Sequence, residues 1–200
     1  MLNTARSRYY PDQARAPAKA LSPKDVAFEK YAAEMQQVAQ LSQQQAHNFF
    51  LSHHPLLGFG LPEKGDATGA IKPGNAALQA VFKSTEPKRL LPAAVDLTIS
   101  GHIHLFEAIG FASPHPVALV VGNSGSLNEG HLPDTIPAGV EPYPGAVVDD
   151  FVTMADFGFV SLDRVEPNNA SLWTLTEYKA DGSPVYRCNI NGSKSHCQHL

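Results

Sequence analysis

Two short apolar runs, each ending in histidine, constrain this chain more than any other feature. Asn48-Phe49-Phe50-Leu51-Ser52 runs into His53-His54-Pro55, and Val95-Asp96-Leu97-Thr98-Ile99-Ser100 runs into Gly101-His102-Ile103-His104. Short apolar runs closed by Pro or Gly read as buried strands. Between them, Asn75 is placed to cap a helix through Ala76 to Phe82. Strand, helix, strand is the connection that lets two strands lie as neighbours, with both histidine strings at one edge of the sheet.

The rest of the chain fits a mixed α and β fold. Residues 1–22 form an irregular lead-in punctuated by Pro11 and Pro17. Ser22-Pro23-Lys24-Asp25 carries helix-start signals: a capping serine, Pro at the first helical position and an acid in the first turn. Phe28, Tyr31, Met35, Val38 and Leu41 then recur at helical spacing, so a helix is expected from about Pro23 to Ser42. Gly58 to Gly74 has no period and reads as a loop. Leu105 to Phe111 and Val117 to Val121 read as strands, followed by a long Pro- and Gly-rich loop from Asn128 to Pro144. Phe157 to Leu162, Leu172 to Tyr178 and Pro184 to Asn189 read as closing strands, with Asp181-Gly182 as a turn and residues 191–200 as a tail. One α+β domain is therefore expected over residues 23–190.

Composition narrows the partners. Of 200 residues, 43% are hydrophobic, enough for a core, and 17% are charged. The net charge of −4 argues against generic nucleic-acid binding, which needs a basic face. A phosphate-bearing small molecule stays open, because a metal ion can supply the positive charge. No apolar stretch is long enough to span a membrane. Cys188 and Cys197 are close enough in sequence to form a local disulfide, which would accord with a periplasmic or secreted setting, or to remain two free thiols. The compartment itself is not legible.

His102 and His104 are two apart. In extended backbone that spacing sends both imidazoles to one side, behind a Gly that permits close approach to a bound group. Such a pair at a strand end suits metal ligation; the alternative is a pair of exposed turn histidines. His53 occupies the same setting on the first run, and the two strings together strengthen the metal reading.

An H-x-P string after one strand and GHxH after another resemble the C-terminal half of the calcineurin-like metallophosphoesterases, nearest the purple acid phosphatases. Gly122-Asn123-Ser124-Gly125-Ser126, Phe157-Gly158-Phe159 and Trp173 extend the resemblance over about Phe49 to Cys188. It implies a β-sandwich flanked by helices, with two metal ions (Fe, Zn or Mn) at the strand ends. A hydroxide held by the metals would hydrolyse phosphate mono- or diesters. By residue, the resemblance makes His53, His102 and His104 metal ligands. His53 and His102 would share one ion, and His104 would bind the other. His54 falls at the variable position of the H-x-P string and would stand behind the ligands or be a spectator, and Asn123 would support the site. His131, in the long loop, could reach a substrate or be a plain exposed loop histidine.

The family's D-x-H, G-D-x-x-D and G-N-H-[DE] motifs are missing. Gly65-Asp66-Ala67-Thr68 begins like the second but continues to Gly69 and lies after His53, in the wrong order. Met1 is accordingly expected to be an internal start, and the chain an N-terminally incomplete enzyme with no complete catalytic set. The alternative is a non-catalytic, degenerate module of the same fold. A rival of another class is a serine hydrolase using Ser124, with His53 or His54 and Asp96 in the order of a protease triad.

Overall fold

The structure, a computed structural model, describes residues 22–24, 26–62, 70–125, 127, 130–166 and 169–200. The lead-in through residue 21 and the Gly65-Asp66-Ala67-Thr68 string lie outside the described residues.

The first helix, α1, runs Val26–Ser42. It starts later than the Pro23 signal, because Pro23 and Lys24 form a turn in which the Ser22 hydroxyl accepts the Lys24 N–H at 3.3 Å. Tyr31 and Met35 on its inner face are buried. Strand β1 follows at Asn48–Ser52, and helix α2 at Ala76–Thr85 is capped as read, with the Asn75 side chain accepting the Leu78 N–H at 3.1 Å. The strands β2 (Val95–Ser100), β3 (Phe106–Phe111), β4 (Val117–Val121) and β5 (Val148–Met154) complete a five-stranded sheet in the order β1-β2-β4-β3-β5. In it β1, β2 and β4 are parallel, while β3 is antiparallel to β4 and β5. A second, antiparallel sheet contains β6 (Gly158–Glu166), β7 (Asn169–Lys179), β8 (Pro184–Asn191) and β9 (Lys194–His199) in sequence order.

The alternation of β3 shows how three layers form. Ile109 and Phe111 pack with Met35, Phe50 and Phe82 in a core between the helices and the first sheet. Phe106 and Ala108 point the other way, into a core shared with Leu175, Val185 and Ile190 of the second sheet. The fold is thus α+β, a two-sheet sandwich with helices on one outer face.

Two strands escaped the sequence reading. Strand β5 pairs with β3 along its length. The residues read as a tail form β9, paired with β8, and Cys188 and Cys197 face each other across that pair in a disulfide, with Cα atoms 4.0 Å apart. The side chain of Asp150 holds β9 against β5 by accepting the Ser195 hydroxyl and the Cys197 N–H, each at 2.9 Å. Gly110 permits this approach: a Cβ there would stand 2.4 Å from Ser195 Oγ.

Candidate metal centre

Parallel pairing places the two histidine strings side by side. Ser52 of β1 is the register partner of Ser100 of β2, so His53 and Gly101 leave the sheet together, and the Gly101 N–H donates to the His53 carbonyl at 3.2 Å. The chain then bends. The Ser52 hydroxyl donates to the His54 carbonyl at 2.8 Å, which folds residues 53 and 54 back on the strand end. Strict alternation fails at that bend, and the His53 and His54 rings lie 4.9 Å apart, nearly perpendicular at 85°.

His102 joins them. Its Nδ1 lies 3.2 Å from His53 Nε2, and its ring centroid is 4.0 Å from that of His54 and 5.0 Å from that of His53. One nitrogen from each of His53, His54 and His102 lies within 4.8 Å of the other two. His54 is buried, His102 half-buried and His53 exposed. Among the described residues this is the one cluster of at least three potential ligands.

The backbone around His102 is unusual. Its φ is +70°, and the Ile103 N–H donates to the Gly101 carbonyl at 2.9 Å, closing a three-residue turn centred on the histidine. Side-chain-bearing residues rarely adopt this region, at a cost of about 1–3 kcal/mol, and they concentrate at functional sites. A second three-residue closure follows, from the Leu105 N–H to the Ile103 carbonyl at 2.9 Å, centred on His104. Residues 101–105 are therefore not extended. The period-two argument for a common side does not apply to them, and His104 is not a member of the cluster.

Gly122 holds these turns in place. Its N–H donates to the Leu105 carbonyl at 3.1 Å, and a Cβ at Gly122 would stand 1.8 Å from the Ile103 carbonyl oxygen. Only glycine lets the end of β4 come that close.

The other residues singled out in sequence fall elsewhere. Asn123 is buried and donates to the Asp156 carbonyl at 3.1 Å and to Glu177 Oε1 at 2.8 Å, tying the end of β4 to the second sheet. Burial pushes the Glu177 carboxyl up to about 7, against the opposing effect of that hydrogen bond. His131 is exposed and lines a cleft with Asp134, Thr153 and Asp156 beyond the end of β5. Ser124 is also exposed. Asp96 sits near the start of β2, away from the histidine end, and its carboxylate meets His47 Nδ1 at 2.6 Å. The His–Asp contact of a serine triad is thus made with neither His53 nor His54.

Sequence motifs do not mark one further buried acid. Glu107 immediately follows the histidine turns and is fully buried. Its Oε2 accepts the Phe59 N–H at 2.9 Å, while its buried Oε1 has no hydrogen-bond partner among the described residues. Burial raises its carboxyl to about 8, only partly offset by the Phe59 hydrogen bond. An acid inside the apolar run Phe106 to Phe111 was the available signal.

No protein-family model matches the sequence, and no curated protein matches it. The fold is similar to a solved structure. A purple acid phosphatase from yellow lupin (Lupinus luteus) seeds superposes with a TM-score of 0.52 at 17% identity, over 91% of this chain and 29% of that one. The chain thus spans under a third of that protein's length, and the likeness is one of fold. It supports the expected α+β architecture, a β-sandwich flanked by helices. No described helix is long and apolar enough to cross a membrane.

Proposed function

We propose that this chain carries the histidine side of the metal centre of a metal-dependent phosphoesterase acting on small phosphate mono- or diesters. The observation that carries the reading is the convergence of His53 and His102 at adjacent parallel strand ends, in a fold similar to a purple acid phosphatase. The residues present fit one metal ion. A tetrahedral ion with bonds of about 2.0–2.1 Å to nitrogen holds its ligands about 3.3–3.4 Å apart, and His53 Nε2 and His102 Nδ1 are separated by 3.2 Å. For a second ion, His104 would be one donor, and the carboxylate and amide donors would come from outside the described residues. Iron, zinc or manganese suits such a mixed set.

When bound, the metal supplies the Lewis acidity that phosphate-ester hydrolysis needs. The chain's own residues hold the imidazoles in position: the turn at His102 is locked by Gly122, and the bend at His54 by Ser52. A non-catalytic role for this fold half is the second reading, favoured by the lack of any carboxylate in the histidine cluster among the described residues.

Binding of phenylphosphonate, a non-hydrolysable phosphate analogue, tests the proposal. It should bind the zinc-loaded chain, and binding should be lost with chelator and in His102→Ala. Binding that is insensitive to both would refute the reading. Hydrolysis of a chromogenic phosphate ester by the chain alone should fall well below an ordinary turnover of about 10 per second.

A further inference from the structure

We propose that His54 is itself a metal ligand, and that His53, His54 and His102 together hold a single transition-metal ion, best matched by zinc. The family resemblance treats the position between His53 and Pro55 as variable and assigns it no bond to metal. The geometry points elsewhere. All three imidazoles offer a nitrogen within 4.8 Å of the others, and one pair already stands at 3.2 Å, near the spacing around a tetrahedral ion. The rings meet at 85°, 70° and 45°, not in parallel stacks, so the edges that carry the nitrogens can face a common point.

The backbone supports the same conclusion by two independent devices. Neighbouring residues of a strand face opposite ways, yet the hydrogen bond from the Ser52 hydroxyl to the His54 carbonyl brings His54 to the side of His53. His102 is held at a φ of +70° in a turn that Gly122 makes possible. Packing alone would not require a left-handed histidine against two other histidines.

The donor chemistry selects the metal. Three neutral imidazoles, with no carboxylate among the described residues of the cluster, form a poor site for calcium or magnesium and a good one for zinc. Three protein nitrogens on a tetrahedral ion leave one position for water or for an oxygen of an oxyanion such as phosphate. A complete three-ligand set makes this ion independent of donors from any other segment.

The inference rests on the metal-centre part of the proposed function and not on its phosphoester chemistry. The test is zinc binding to the purified chain, measured by competition with a chromophoric chelator. It is paired with ¹⁵N spectra of histidine-labelled protein, which count the rings that shift on loading. The expected result is one zinc per chain, with the His53, His54 and His102 rings shifted. His54→Ala and His102→Ala should each weaken binding by more than about 100-fold, beyond what loss of an outer-shell partner costs, while His196→Ala on the exposed face of β9 changes nothing. If His54→Ala fails to fold, the ring count in the unaltered protein decides. Wild-type zinc affinity in a folded His54→Ala, or an unshifted His54 ring with His104 shifted instead, would overturn the His54 assignment while leaving the metal centre standing. No zinc binding by the unaltered chain would overturn both.

Discussion

Replacing Glu107 by Gln should change how stability depends on pH. The carboxyl is buried, one of its oxygens has no hydrogen-bond partner among the described residues, and its pKa is raised from 4.5 to about 8. Between those values the folded state keeps a proton that the unfolded state has released. Stability therefore falls as pH rises through this window, and above about 8 the loss is complete and constant. A shift of about 3.5 units corresponds to at most about 5 kcal/mol, with a local slope approaching 1.4 kcal/mol per pH unit. Gln retains the carbonyl oxygen that accepts the Phe59 N–H and does not titrate. The difference between variant and wild type should then move in favour of the variant by several kcal/mol from pH 5 to pH 8. Urea unfolding of both proteins at four pH values and fixed ionic strength measures it, and subtraction removes groups common to both, Glu177 included. Curves that stay parallel within about 0.5 kcal/mol would show that Glu107 is solvated or paired in the folded protein, and would overturn this account of its titration.

Three other outcomes follow from the packing. Gly122→Ala should cost about 1–3 kcal/mol and weaken zinc binding, because its Cβ would force the Ile103 carbonyl away; unfolding and zinc titration that both match wild type would contradict this. Replacing Cys188 and Cys197 together by Ser should cost about 3 kcal/mol on the chain-entropy account of a short loop, read as a lower urea midpoint. Leu51→Lys should reduce self-association, measured by light scattering. Leu51 is 43% exposed on β1, whose outer edge pairs with no other described strand.

Much of the fold was legible because local chemistry and tertiary structure agree. The Asn75 cap, the apolar runs of β1, β2 and β4, and the Asp181-Gly182 turn each carry their own instruction, and the structure follows them. The strands that were not legible lack such instructions. Strand β5 carries adjacent acids, Asp149 and Asp150, in place of a clean alternation. Strand β9, Lys194–His199, has almost no apolar content. It forms because a local disulfide ties it to β8 and the carboxylate of Asp150, distant in sequence, holds it against β5.

At the histidine site the division is sharper. The sequence by itself determined which residues reach one end of the sheet: two apolar strands joined through a helix can pair in parallel, and their terminal histidines then arrive together. Which imidazoles converge was decided by tertiary structure. Alternation along a strand holds only while the backbone stays extended, and here it stops at Ser52 and at Ser100. Beyond those points the directions of His54, His102 and His104 depend on a serine hydroxyl and on two tight turns. Those turns exist because Gly122, arriving from another strand, leaves room for them.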